Sequence, residues 1–355
     1  MSPPTIPLLQ NHPYTLPIGL GFGSLSGFYG PPGPLETRLA LLDHAHANGL
    51  RFWDLADVYG DSEDLVGEWF RTRPGKRADI FLATKFSLQR QADGRHTFRS
   101  DPEYVKIACE RSLERLGVEY IDLYYCHRVD GVTPIERTVE AMGELRSAGK
   151  INHLGLSEVS ASTLRRAHAT HHISALQMEY SLFTTDIDSP GSSIHETCRA
   201  LNIPIIAFSP LGRGVLSGQF TSHTDIPQGD LRRGLPKYAE ENFPQIRALV
   251  KGLDDVAEAH SLPGPGGERR KVTAAQVALA WLLAKGQEGE GAGVIPIPGT
   301  KSVERMDENA GAVGVELSEA EVRMLGELRG DLDIKGTRYS AAVMATLLSD
   351  TPELE

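Results

Sequence analysis

Phe52-Trp53-Asp54-Leu55-Ala56-Asp57-Val58-Tyr59-Gly60 runs from an apolar stretch of strand character into a carboxylate and, five residues later, a phenol. Two later apolar runs end in the same manner: residues 80 to 84 deliver Lys85, and residues 121 to 126 deliver His127. Parallel strands share one carboxyl-end face, and ligands bind there. Asp54, Tyr59, Lys85 and His127 are therefore the candidate chemical residues, provided that one sheet carries all three runs.

The rest of the chain supplies such a sheet. Strands are expected at residues 18–23, 51–55, 80–84, 120–126, 151–156, 175–178, 203–208 and 293–297. Helices are expected at 35–48, 62–71, 102–116, 134–148, 160–170, 195–201, 273–285 and 303–312. Asp101-Pro102 has the capping order for a helix start, and Ser62 is the expected cap of the second helix. Eight alternating pairs predict an α/β fold closing into a (β/α)8 barrel of TIM type. An extra amphipathic helix is expected at 316–328, and a C-terminal extension, 329–355, is expected to fold back over one end. A long irregular section separates the seventh strand from its helix. Residues 1–16 are expected to form a short hairpin or lid, and 262–268 and 286–293 surface insertions. No composition break marks a linker, so 1–355 is read as one domain.

Of the 355 residues, 40% are hydrophobic and 23% charged, and no apolar run approaches the roughly 18 residues of a membrane span. The first residues lack the basic and apolar regions of a secretory signal, and the expectation is a cytoplasmic protein with no membrane partner. Three cysteines outside any Cys-x-x-Cys spacing argue against a disulfide framework or a zinc site. A net charge of −11 disfavours nucleic acid, which demands a basic face. Small molecules are the expected ligands.

An ammonium beside a phenol favours the phenolate, so Lys85 would make Tyr59 a usable proton donor, and Asp54 would keep Lys85 charged. His127 would orient or polarise a carbonyl oxygen. This set contains no evident nucleophile, so carbonyl reduction would need hydride from a bound cofactor. Ser209-Pro-Leu-Gly-Arg-Gly-Val-Leu-Ser-Gly218 has the glycines that let backbone amides approach a pyrophosphate. Ile297-Pro-Gly-Thr-Lys-Ser302 opens a helix whose start, with Lys301 and Arg305, suits an adenosine phosphate.

Asp54 to Gly60 (Asp-x-Ala-x-x-Tyr-Gly), Lys85, His127 and Arg305 to Asn309 (Arg-x-x-Glu-Asn), in this order, resemble the motifs of the aldo-keto reductase superfamily. The resemblance extends over nearly the whole chain. Ser24 to Gly30 and His127-Arg128-Val129-Asp130 are similar to its microbial and fungal branch, related to potassium-channel β subunits. The resemblance implies an NADP-dependent oxidoreductase that reduces an aldehyde or ketone with NADPH, leaving NADP+. Tyr59 would be the acid, tuned by Lys85 and Asp54, and His127 would position the substrate. It further implies that Ser157 and Gln177 hold the nicotinamide amide, with Phe208 stacked on the ring beside Ser209. Leu211 and Gly212 would line the pyrophosphate, Thr300, Lys301 and Arg305 meet the 2′-phosphate, and Glu308 and Asn309 meet the adenine. Phe28, Tyr29, Phe86 and Arg128, with Phe183, are candidates for the substrate pocket. Many relatives carry Asn where this chain has Glu158 and Lys where it has Gly299.

Two other readings stay open: a Schiff-base lyase using Lys85, and a cofactor-binding regulatory subunit. The sequence leaves both monomer and homo-oligomer open. No metal site is expected: His168, His171 and His172 lack an acidic partner at suitable spacing, and Asp186-Ile-Asp188 reads as a turn. Gly19-x-Gly21-x-Gly23 is not a Rossmann fingerprint, since Ser24 follows and no helix begins there.

Overall fold

Side chains that alternate at a period of two build the centre of the molecule. Eight strands, β1 (Leu20–Gly21), β2 (Phe52–Asp54), β3 (Phe81–Phe86), β4 (Ile121–Cys126), β5 (Ile151–Ser157), β6 (Ile173–Glu179), β7 (Ile205–Phe208) and β8 (Val294–Pro296), pair in parallel in chain order. The ring closes between its ends: Gly19 N–H donates to the Pro296 carbonyl (2.9 Å) and Gly21 N–H to that of Pro298 (3.2 Å). This is a (β/α)8 barrel, as the alternation predicts. The computed structural model describes residues 15–27, 30–91, 95–189, 191–264, 266–287 and 293–355.

Phe52, Phe81, Ala83, Leu123, Tyr125, Ala175, Ile206 and Ile295 fill the barrel interior as a core of their own. Their chain neighbours Trp53, Leu82, Tyr124, Leu176 and Ile205 face outward, into the larger core under the helices. Gly155 makes room inside, because a Cβ there would lie 2.4 Å from the Tyr125 ring.

The helices are α1 (Leu35–Ala47), α2 (Ser62–Thr72), α3 (Pro102–Leu116), α4 (Ile135–Ser147), α5 (Ala161–Thr170), α6 (Ile194–Ala200), α7 (Phe243–Ala257), α8 (Ala274–Lys285), α9 (Val303–Gly311), α10 (Glu319–Asp331) and α11 (Ala341–Met344). Asp101 caps α3 by accepting the Tyr104 N–H (3.0 Å), with Pro102 first in the helix, and left-handed Gly117 (φ 62°) ends it. Ser62 does not cap α2. It is the first residue of the helix, after Asp61, and its hydroxyl donates to the Ala56 carbonyl (3.0 Å), tying α2 to the loop beyond β2.

The section between β7 and α8 is less irregular than expected. It contains α7, whose Phe243, Ile246, Leu249, Leu253 and Val256 are buried at helical spacing. The 262–268 insertion begins within an antiparallel hairpin, Ser261–Pro263 with Arg269–Lys271, and a second unexpected hairpin joins Leu88–Arg90 to His96–Phe98. Residues 1–14 of the proposed lid, and most of the 286–293 insertion, lie outside the described residues.

The segment after α10 crosses the carboxyl-end face. Arg338 reaches Glu158 beyond β5, Val159 bridges to Ser349, and the Thr351 hydroxyl accepts the Ile135 N–H (3.2 Å) at the start of α4. Arg166 holds the last turn of this path, donating to the carbonyls of Thr351 (2.9 Å) and Pro352 (2.6 Å). Among the described residues, no helix is long and apolar enough to cross a membrane.

Candidate active site

The inward alternation that fills the barrel continues into polar residues at the carboxyl ends. Phe52 is followed two residues on by Asp54, Ala83 by Lys85, Tyr125 by His127 and Ala175 by Gln177, while Ile206 is followed by the aromatic Phe208. Asp54, Lys85 and His127 therefore converge in the barrel's top layer. Lys85 Nζ, fully buried, donates to Asp54 Oδ1 and to the Leu55 carbonyl (2.5 Å), and Asp54 Oδ2 accepts from Gln177 Nε2 (2.8 Å). Burial pushes the Lys85 pKa down and that of Asp54 up, each opposed by attraction to the other.

Tyr59, on the loop after β2, lies over this pair with its ring centroid 5.1 Å from Lys85 Nζ. The His127 ring meets it edge-on at 5.8 Å. Burial, reinforced by the charges of Arg128 and Lys85, holds the His127 pKa well below its ordinary value, so the imidazole is neutral near pH 7. Its Nδ1 is buried without a partner.

The loop that carries Tyr59 is held from both sides. Asp57 N–H donates to the Lys85 carbonyl (3.1 Å), while Arg115, near the end of α3, donates to the carbonyls of Asp57 (3.2 Å) and Gly60 (2.8 Å). The same guanidinium pairs with buried Glu63 (2.9 Å) and with Asp64 (2.6 Å). Asp57, to which the sequence assigned no role, is buried and pairs with Arg111 (2.8 Å).

The residues expected around a dinucleotide line a path from β5 to β8. The Ser157 hydroxyl accepts from Arg128 Nη1 (3.0 Å), and Phe208 is half-buried beside the interior core. After β7 the backbone turns through left-handed Ser209 (φ 50°) and Gly212 (φ 52°), following Leu211. A Cβ at Gly212 would lie 3.0 Å from that of Phe183. Ser302 caps α9 by accepting the Arg305 N–H (3.3 Å), and the hydroxyl of buried Thr300 accepts the Ser302 N–H (3.1 Å). Lys301 Nζ contacts the carbonyls of Gly30 (3.4 Å) and Pro31 (3.2 Å), and Arg305 donates to Gln219 (3.1 Å) beyond β7. Asn309 lies one turn beyond Arg305 and is buried, with Glu308 half-buried beside it. The residues fit a dinucleotide: the left-handed turn at Ser209 and Gly212 brings backbone to the barrel mouth on one side, and a capped helix start with two cations stands on the other.

Both departures noted in the sequence have physical reasons. A Cβ at Gly299 would sit 2.8 Å from Ser24 Oγ and 2.9 Å from the Gly21 carbonyl, which leaves no room for a lysine stem. Glu158 is fully buried in a left-handed conformation (φ 52°), and its two oxygens accept from Arg338 at 2.8 Å each. Burial opposes its charge, yet the Arg338 hydrogen bonds hold its carboxyl below the usual range. Nothing local in the sequence marks Arg338 or Arg115 as members of this region, because their partners are distant in the chain.

One pocket candidate is corrected. Phe86 is fully buried on the outward face of β3, stacked on Tyr124 (4.9 Å), because the alternation that points Lys85 inward points Phe86 at the helices. Phe183 is buried against Tyr238 and Gly212. Phe28 and Tyr29 lie outside the described residues, and Arg128 is half-buried beside His127. Among the described residues no cluster suits a metal ion, and the His171 ring packs on Gly143 of α4.

A family model described as the aldo/keto reductase family matches residues 17–329. The chain is 48% identical to the aldo-keto reductase str7 of Strobilurus tenacellus, over 94% of this chain and 95% of that one. It is 41% identical to the aldo-keto reductase yakc of Schizosaccharomyces pombe, whose name specifies NADP(+), over 95% of each. Among solved structures, glycerol dehydrogenase AKR11B4 from Gluconobacter oxydans shares the fold at a TM-score of 0.77 and 24% identity, over 91% of this chain and 94% of that one. The aldo-keto reductase AKR11C1 from Bacillus halodurans, in its holo form, superposes with a TM-score of 0.66 at 25% identity, over 91% and 94%.

Proposed function

This chain belongs to the aldo/keto reductase family, and we propose that it reduces an aldehyde or ketone to the alcohol with NADPH, Tyr59 serving as the general acid. The observation that carries the reading is the convergence of Tyr59, the Asp54–Lys85 ion pair and a neutral His127 at the mouth of the barrel. The choice of NADPH is supported by the name of the yeast relative and by Lys301 and Arg305 at the start of α9.

When bound, NADPH supplies hydride to the carbonyl carbon. Tyr59 gives its phenolic proton to the carbonyl oxygen as that carbon is reduced, and the phenolate left behind is stabilised by the Lys85 ammonium below its ring. Asp54 fixes Lys85, and Gln177 in turn fixes Asp54. His127, being neutral, donates a hydrogen bond to the carbonyl oxygen without competing as an acid. Ser157 and Phe208 hold the nicotinamide end, while the turn at Leu211 and Gly212, together with Thr300, Lys301 and Arg305, holds the phosphates. Glu308 and Asn309 stand at the adenine. A Schiff-base role for Lys85 is disfavoured by its full burial and its bonds to Asp54 and Leu55, since an amine must be free to attack.

Tyr59→Phe is expected to lower kcat by about a thousandfold or more, the scale of positioned acid catalysis, while NADPH binding measured by fluorescence quenching stays near the parent value. A fully active variant would sink the assignment.

A further inference from the structure

Arg128 is a cation with an unused edge. Among the described residues it donates from Nη1 alone, to the His127 carbonyl (2.5 Å) and to Ser157 Oγ (3.0 Å). Nε and Nη2 make no hydrogen bond among the described residues, and neither is sealed from solvent. These two groups form the side of the guanidinium on which two N–H bonds run parallel, the geometry that matches a carboxylate.

The acidic residues nearby are already engaged. Glu158 gives both oxygens to Arg338, Glu179 accepts from Arg213 (3.2 Å), and Asp186 pairs with Arg338 (3.2 Å) and Lys237 (3.5 Å). Arg128 has no carboxylate within ion-pair distance among the described residues, although the chain as a whole carries a net charge of −11. Glu158 feels the charge of Arg128 but gives both oxygens to Arg338, so the Nε–Nη2 edge itself has no carboxylate in contact, a cost that a bound carboxylate would relieve. The charge of Arg128 is felt at both His127 and Lys85, so the guanidinium stands beside the reacting groups.

Cofactor phosphates do not fill this role. Their expected contacts lie beyond β7 and β8, whereas Arg128 follows β4, three strand positions away from β7 in the sheet order. At about 4.8 Å per strand that is on the order of 14 Å along the rim.

We infer that Arg128 sets substrate choice: the carbonyl compound reduced here carries a carboxylate, which docks on the Nε–Nη2 edge of Arg128. The inference rests on the reductase reading above and narrows it to a substrate class.

The test uses the full chain with NADPH and matched substrates, 3- and 4-carboxybenzaldehyde against 3- and 4-formylbenzamide, which keep shape and remove charge. For at least one position of the group, kcat/KM is expected to favour the acid by about tenfold or more. Arg128→Gln is expected to bring that ratio to about one, with Arg128→Lys, a point charge lacking the fork, in between. Equal use of acid and amide by the parent protein overturns the inference. So does a ratio that survives in Arg128→Gln, or a loss of NADPH affinity in that variant matching its loss of preference for the acid. Turnover of none of the four compounds would remove the reductase reading itself, and the inference with it.

Discussion

Asp57 stands between Asp54 and Tyr59 with its carboxyl buried, Oδ2 accepting from Arg111 and Oδ1 lacking a partner. Burial, with Glu63 nearby, pushes its pKa up to about 7. A folded-state pKa above the unfolded one means that the native protein holds this proton more tightly. The resulting stability is complete below about pH 4 and is lost as the pH rises through about 7. Asp57→Asn removes the dependence, so its melting temperature relative to the parent is expected to climb between about pH 5 and about pH 8. Melts at the two pH values check this. Turnover in Asp57→Asn is expected to stay close to that of the parent, because the residue lies outside the group proposed for chemistry.

At the level of elements, α3 does more than cover the barrel. Arg115 grips the carbonyls on either side of Tyr59 and neutralises buried Glu63. Arg115→Met is expected to lower kcat by about a hundredfold, because the acid loses its placement, with NADPH affinity little changed. It should also destabilise the fold by about 3 kcal/mol through the stranded Glu63, as read from urea unfolding. The strands were legible because inward and outward residues alternate and several runs lead into a polar side chain; the site residues were legible because they extend the same alternation. Asp101-Pro102 and Gly117 marked the ends of α3 through local capping chemistry. The apolar spacing of α7 was equally present, from Phe243 to Val256, but lay within a stretch whose glycines and prolines suggested loop. The grip of Arg115 had no local sign, since its partners at Asp57 and Gly60 lie more than 50 residues earlier. The fate of Phe86 turned on the strand extending through Lys85, which sets the facing of the next residue.

Across the whole molecule, the segment beyond α10 ties the mouth of the barrel together. Arg338 pairs with Glu158, just past β5, and with Glu179 at the end of β6, and the Tyr339 ring lies 4.5 Å from the Arg213 guanidinium in the turn after β7. Arg338→Met strands Glu158 and is expected to cost about 3–5 kcal/mol, whereas adding Glu158→Gln to it should recover a good part of the loss. Denaturant midpoints of the two variants distinguish a needed charge pair from a needed shape. Arg338 follows the last barrel strand in the chain and takes no part in the strand pairing of the ring, so the eight strands close on one another without it. Closing the ring and finishing its mouth are therefore separable: until Arg338 docks, Glu158 is a buried carboxylate without its cation, and the rim of the barrel is the part that its docking sets.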